Sequence, residues 1–234
     1  MFFEPLLLGF PDYHLQGKNL ARLLDIEYVE AELHQFPDGE SKIRLPVSQR
    51  WVGKLLSSLV DEVITVDPHL HRVKKLEDII NVKRAVTLSA APLIGNLISL
   101  QVSNPLIIGP DEESKQWIEQ ITELHDFDYI VGEKTRLGDK DVNVVLPPSE
   151  MEDRDVVLVD DMASTGKTLI YTAQQLVEMG VENLYCAITH PLFIGSAYEE
   201  LLATGVKAVW STDSVTHPSN CISLASILSE AIYL

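Results

Sequence analysis

Apolar runs alternate with stretches of helical spacing along most of this chain. Residues 6–10 predict a first strand and residues 17–24 a helix. Trp51, Leu55, Leu56 and Leu59 fall on one face of a second predicted helix, with Ser48 as its cap. Residues 63–66, 106–108, 143–146, 156–159, 185–188 and 208–210 predict further strands. The run Val156-Val157-Leu158-Val159 has no polar interruption, as expected of a parallel strand covered on both faces. After it, Leu169, Ala173, Leu176 and Met179 recur at helical spacing, and Gly180 ends the helix. Strands interleaved with amphipathic helices predict an α/β fold with mostly parallel sheets.

Polar residues gather where the predicted strands end. Asp67 and His69 follow the run at 63–66, Asp111 follows the run at 106–108, and Asp160 and Asp161 follow the run at 156–159. Open α/β sheets bind ligands at the carboxyl ends of their strands, so this clustering predicts a single site. The richest stretch is Asp160-Asp161-Met162-Ala163-Ser164-Thr165-Gly166-Lys167-Thr168. Ser164, Thr165, Gly166, Lys167 and Thr168 would place backbone N–H groups and hydroxyls at a helix N-terminus, which is an anion site by geometry and dipole. Asp160 and Asp161 are poor phosphate ligands and good acceptors for sugar hydroxyls. Together they predict recognition of a ribose 5-phosphate group. A Walker A loop is excluded, because Asp161 stands where that motif needs its first glycine. Helix capping alone explains one acid or hydroxyl, but not two adjacent acids followed by a phosphate loop.

Net charge narrows the partners. At −17 over 234 residues the chain is unsuited to nucleic acid, whose phosphates require Lys and Arg. Anionic small molecules remain open, since a local loop and a divalent cation override the global field. A hydrophobic fraction of 46% and a charged fraction of 23% are ordinary for a globular protein with a substantial core. Cys186 and Cys221 lie in apolar surroundings without metal-ligand spacing, which predicts structural thiols in a reducing, cytoplasmic setting. The first residues lack the features of a signal peptide, and no apolar stretch predicts a membrane span.

The stretch from Val156 to Thr168 resembles the phosphoribosyl-pyrophosphate loop of type I phosphoribosyltransferases and, more closely, of ribose-phosphate diphosphokinases. Five further landmarks follow the order of that second family. They are Phe36-Pro37-Asp38-Gly39-Glu40, Thr65-Val66-Asp67-Pro68-His69, Gly109-Pro110-Asp111, Glu133-Lys134-Thr135-Arg136, and Thr189-His190 with the later His217-Pro218-Ser219-Asn220. The resemblance implies two phosphoribosyltransferase-like domains, at 1–85 and 86–234. It implies transfer of diphosphate from ATP to O1 of ribose 5-phosphate, with AMP released. Lys134 and Arg136 would act in a flexible catalytic loop. Phe36, Asp38 and Glu40 would bind ATP, and His69 and Asp111 would serve Mg²⁺. The ribose 5-phosphate ligands would be Asp160 and Asp161 with Ser164, Thr165, Gly166, Lys167 and Thr168. A homo-oligomer is implied as well, because in the family the loop matching 36–40 reaches a neighbouring subunit.

One departure stands out. Residues 43–46 run almost directly into the helix that begins near Ser48, where the family carries a longer segment with an Arg-Gln-Asp motif; that triplet is absent from this chain. The N-terminal domain is therefore expected to be shortened by an internal deletion on its ATP side. Two alternatives follow: a non-catalytic ribose-phosphate-binding relative that regulates or assembles with a complete synthase, and a phosphoribosyltransferase acting on a base.

Overall fold

The computed structural model describes residues 6–9, 14–30, 32–35, 41–44, 48–70, 75–136, 142–145, 151 and 154–233. The elements run β1 (Leu6–Gly9), α1 (His14–Leu24), β2 (Glu27–Glu30), β3 (Glu32–Gln35), β4 (Ser41–Arg44), α2 (Ser48–Leu59), β5 (Glu62–Val66), and a single 3-10 turn at Leu76–Asp78. They continue with β6 (Arg84–Leu88), α3 (Ala91–Gln101), β7 (Pro105–Gly109), α4 (Lys115–His125), β8 (Asp128–Val131), β9 (Glu133–Arg136) and β10 (Val142–Val145). The last third holds β11 (Asp155–Ala163), α5 (Lys167–Glu178), β12 (Asn183–Pro191), α6 (Ala197–Ala203), β13 (Ala208–Thr212), β14 (Asn220–Ile222) and α7 (Ala225–Tyr233).

The chain forms two compact units, one of residues 1–63 and 70–85 and one of residues 64–69 and 86–234. In the first unit β1 pairs with β2 in parallel, and β3 pairs with β4 as an antiparallel hairpin with Gln35 opposite Ser41. The predicted apolar face of α2 is not its buried face. Leu55 is 54% exposed and Leu59 69%, whereas Gly53 is buried. A Cβ built on Gly53 would lie 2.0 Å from the carbonyl oxygen of Ile79, so the helix backbone itself sits against the 3-10 turn. Spacing alone marks the leucines and misses a contact made by the absence of a side chain.

The second unit is built on a six-stranded sheet in the order β14-β13-β12-β11-β7-β8, with every neighbouring pair parallel. Its strand residues alternate between two core clusters. Leu106, Ile108, Val156, Leu158, Leu184, Cys186 and Ile188 pack with Leu169, Ala173 and Leu176 of α5 and Leu201 of α6. Ile107, Val157, Val159 and Ala187 pack on the other side with Ile94 and Ile98 of α3 and Ile118 and Ile121 of α4. This double coverage explains the uninterrupted apolar runs. The chain leaves β7 outward to β8 and leaves β11 the other way, to β12, β13 and β14. The direction of winding thus reverses between β7 and β11, and a crevice is expected at their carboxyl ends. Those ends are where Asp111, Asp160 and Asp161 lie.

Lys134 and Arg136 lie on β9, which pairs antiparallel with β10, Lys134 opposite Val144 and Arg136 opposite Val142. Cys221 is exposed on the edge strand β14, while Cys186 is buried and its burial pushes the thiol pKa up.

Candidate functional site

β11 is longer than its apolar run. It continues through both aspartates to Ala163, pairing Asp160 with Ile188, Met162 with His190 and Ala163 with Pro191 on β12. Because side chains alternate along a strand, Asp160 shares the side of Val156 and Leu158, and Asp161 shares the side of Val157 and Val159. The first is the side covered by α5 and the second the side covered by α3 and α4. Two adjacent carboxylates are therefore delivered to opposite faces of the sheet.

Asp160 is half-buried, and its Oδ1 accepts the backbone N–H of Asp161 at 3.0 Å. The chain then turns through Ser164 and Thr165 to Gly166, where φ is +68°. A Cβ there would meet the Cβ of Ala197 at 3.2 Å, so both conformation and space favour glycine. Helix α5 begins directly afterwards with Lys167, and Gly166 supplies no side-chain cap. Its first intrahelical bond runs from the N–H of Ile170 to the carbonyl of Gly166 at 2.8 Å. The N–H groups of Lys167, Thr168 and Leu169 thus point out of the helix end, where the macrodipole favours an anion. The approach to this turn is held in place by β12's exit. Phe193 donates its N–H to the carbonyl of Ala163 at 2.8 Å, and Ile194 to that of Ser164 at 2.9 Å. Thr165 and Lys167 are exposed, Gly166 is buried, and Ser164 and Thr168 are intermediate.

Asp161 is buried, with its side chain 4% exposed. Its Oδ2 lies 2.6 Å from Nδ1 of His69, which follows β5. An arm of residues 64–69 carries this histidine, and Asp67 anchors the arm. Asp67 is buried and has φ +39°, a conformation that costs a non-glycine residue about 1–2 kcal/mol. Its N–H donates to the carbonyl of Leu88 at 2.9 Å, and its Oδ2 accepts from the N–H of Ala90 at 2.8 Å and the hydroxyl of Thr189 at 3.3 Å. Its carbonyl oxygen lies 3.1 Å from Nε2 of His190.

Asp111 follows β7 and is also buried. Its Oδ1 accepts the N–H groups of Glu113 and Ser114 at 3.1 and 3.3 Å, which starts the turn into α4. Gly109 at the end of β7 has no room for a side chain, since a Cβ would fall 2.2 Å from Oγ of Ser114. Of the two residues expected to serve a metal, His69 is joined to Asp161 and Asp111 to the start of α4. No group of three or more His, Cys, Asp or Glu side chains that could hold a metal gathers among the described residues. Mg²⁺ usually takes one or two carboxylates and completes its shell with water and substrate phosphates, so a buried carboxylate such as that of Asp111 is chemically compatible with it.

Phe36, Asp38 and Glu40 lie outside the described residues; β3 and β4 flank them. Thr189-His190 and His217–Asn220 are landmarks to which the sequence alone assigns no role. His217 sits among rings, with centroids 4.9 Å from Phe193 and 4.7 Å from Tyr198. Its Nδ1 accepts the N–H of Ser219 at 3.2 Å, and burial holds its pKa below the ordinary histidine value, with Glu199 opposing. Phe193, which fixes the phosphate turn through its backbone, is therefore itself packed by His217.

Comparison with known proteins agrees with this geometry. The phosphoribosyl transferase domain family matches residues 72–223. A ribose-phosphate pyrophosphokinase of Methanosarcina mazei is 30% identical, with 97% of this chain and 94% of the relative covered. One from Methanopyrus kandleri is 34% identical over 80% of this chain, which spans 64% of that relative's length. A crystal structure of phosphoribosylpyrophosphate synthetase from Mycobacterium smegmatis superposes with a TM-score of 0.66 at 18% identity, covering 97% of each chain, which establishes likeness of fold. No helix among the described residues is long and apolar enough to cross a membrane. With the N-terminus of α5 at the winding reversal, an acid on each face of β11 and these relatives, the chain belongs to the ribose-phosphate pyrophosphokinase family and has the phosphoribosyltransferase fold.

Proposed function

We infer that this chain transfers the diphosphoryl group of ATP to O1 of ribose 5-phosphate, giving phosphoribosyl pyrophosphate and AMP. The observation that carries the reading is the division of β11, with Asp160 on the side of the phosphate turn and Asp161 on the side of His69. Ser164, Thr165, Gly166, Lys167 and Thr168 hold the 5-phosphate through the free N–H groups of α5, the hydroxyls and the Lys167 ammonium. Asp160 accepts from ribose hydroxyls beside that turn. Asp161 completes the ribose side of the site while facing His69, so the two carboxylates perform different work. His69 and Asp111 are the groups that would serve Mg²⁺, with water and substrate phosphates completing its shell. When bound, that ion neutralises charge on the transferring phosphates. Lys134 and Arg136 add positive charge at the transferred group, where dispersed negative charge develops. Phe36, Asp38 and Glu40 bind the adenosine part of ATP. The two units correspond to an ATP-side domain and a ribose-side domain, and the protein acts as a cytoplasmic homo-oligomer.

A second reading is favoured by one observation. The alignment with the Methanosarcina mazei relative runs over 280 positions, more than the 234 residues of this chain, so that relative has residues here unmatched. This supports a chain shorter than that relative and, with it, a ribose-phosphate-binding relative that regulates or assembles with a complete synthase. AMP release from ATP and Mg²⁺, with and without ribose 5-phosphate, separates the two. Sugar-dependent AMP is expected. Ribose 5-phosphate binding without AMP would replace the first reading by the second. Pyrophosphate release from phosphoribosyl pyrophosphate and a base would point instead to a base phosphoribosyltransferase.

A further inference from the structure

We propose that His190 and Asp67 are positioning residues that hold His69 against Asp161. The inference rests on the reading above for its kinetic consequence, and on geometry alone for its structural one. Asp67 is the last fixed point before His69, only one residue separating them. Its left-handed backbone turns the chain as it leaves β5. A strained conformation persists only where surrounding structure over-determines it, and such positions gather at functional sites. Here the determination is explicit. The N–H, the carboxylate and the carbonyl of Asp67 are each engaged, by Leu88, by Ala90 with Thr189, and by His190.

The carbonyl contact is the informative one. A carbonyl oxygen has only lone pairs to offer, so Nε2 of His190 must carry the proton it shares with Asp67. The other ring nitrogen, Nδ1, lies 2.9 Å from Oγ of Ser214, which fixes the ring plane. Ser214 is held in turn, 2.8 Å from the carbonyl of Thr189, and that carbonyl also accepts the hydroxyl of Thr212 at 2.7 Å. The ends of β12 and β13 thus form a polar seat for the arm. Met162, one residue beyond Asp161, stands in register with His190 across the β11–β12 ladder. The carboxylate partner of His69 and the residue that seats His69's arm are therefore set by the same pair of strands. Removing the His190 side chain would free the arm relative to Asp161 while leaving the backbone bonds of Phe193 and Ile194 to Ala163 and Ser164 in place.

The test uses the whole 234-residue chain. The His69 Nδ1 proton, held between two heavy atoms 2.6 Å apart, is expected as a downfield resonance at low temperature and is assigned by its loss in His69→Gln. In His190→Ala this resonance should disappear, kcat should fall at least tenfold, and KM for ribose 5-phosphate should stay within twofold. His190→Gln places an amide donor near the Nε2 position and should recover both the resonance and most of kcat. Ser214→Ala, at an exposed position, is the second variant should His190→Ala not fold; it should broaden the resonance and lower kcat with the same unchanged KM. An unaltered His69 resonance in His190→Ala or Ser214→Ala would overturn the proposal, as would its absence from the unmodified protein. Rescue failing in a folded His190→Gln would overturn it too. Loss of the resonance in a chain that never releases AMP would leave this inference standing and remove only the catalytic reading.

Discussion

Nδ1 of His69 and Oδ2 of Asp161 meet at 2.6 Å although 92 residues separate them in the chain. Asp160, the next residue along β11, belongs to the other side of the sheet. The pair of acids that looks like one motif in the sequence is thus split between two environments, and substitutions at the two positions should have different signatures.

Asp160→Asn should weaken ribose 5-phosphate binding roughly tenfold or more, the range of a hydrogen bond to a charged group, with the Mg²⁺ requirement unchanged. Asp161→Asn, which removes the charged partner of His69, should raise the Mg²⁺ concentration needed for half-maximal turnover and weaken ribose 5-phosphate binding less than Asp160→Asn does. Calorimetry with the sugar phosphate and a Mg²⁺ titration of AMP release measure the two effects. Equal shifts in both variants would mean that the division across β11 has no functional content.

Gly166 combines a left-handed backbone with a close neighbour, Ala197. Gly166→Ala should cost about 1–2 kcal/mol of stability from the backbone alone. It should also weaken ribose 5-phosphate binding more than it lowers the denaturation midpoint, because relief of the strain moves the N–H groups of the turn. Urea unfolding and calorimetry on the same preparation check this. Loss of stability with full affinity would mean that the turn tolerates a reoriented backbone.

Lys134 lies on β9, and we propose that it stabilises charge developing in the transferred group. Lys134→Ala should lower kcat by roughly 100-fold or more, the scale of removing one such stabilising group, and leave ribose 5-phosphate affinity nearly intact. Single-turnover AMP release beside equilibrium binding separates rate from affinity. Parallel loss of both would take Lys134 out of the catalytic role.

His217 gives a pH dependence whose sign is fixed. Burial lowers its folded-state pKa below the ordinary value near 6.5, so the unfolded chain takes up this proton first as pH falls. Its contribution to stability is full above about pH 6.5 and is lost as pH drops through that value toward the folded pKa. Melting temperatures should therefore decline on acidification in this window, and His217→Gln should flatten the decline. A steeper slope in the variant would show that another group governs it.

Much of the sheet was legible in the sequence. The runs at 106–108, 156–159, 185–188 and 208–210 all lie within strands of the central sheet, because strands buried on both faces cannot afford polar interruptions. α3 was not legible: Ala91–Gln101 is apolar on most sides, so no periodic stripe announces it. The apolar run ends before β11 does: two carboxylates look like the end of a strand, whereas the ladder to β12 carries Asp160, Met162 and Ala163 onward. The turn into α5 was visible because it is local, written in consecutive residues. The partnership of His69 with Asp161 was not, because it is made by tertiary structure between segments distant in the chain. The landmarks Thr189 and His190 carried a signal, their place in the order of motifs, but only the contacts with Asp67 gave them a role.

The two-residue repeat of β11 also constrains how this chain can change over time. Inserting or deleting a single residue between Val156 and Asp161 would exchange the two acids between the faces of the sheet, and would turn the surrounding valines away from their helices. Substitution can be explored here one position at a time, but length cannot. The strand's residue count is thus as much a functional character as the identity of its aspartates, and drift in length is confined to segments where no side-chain parity is at stake.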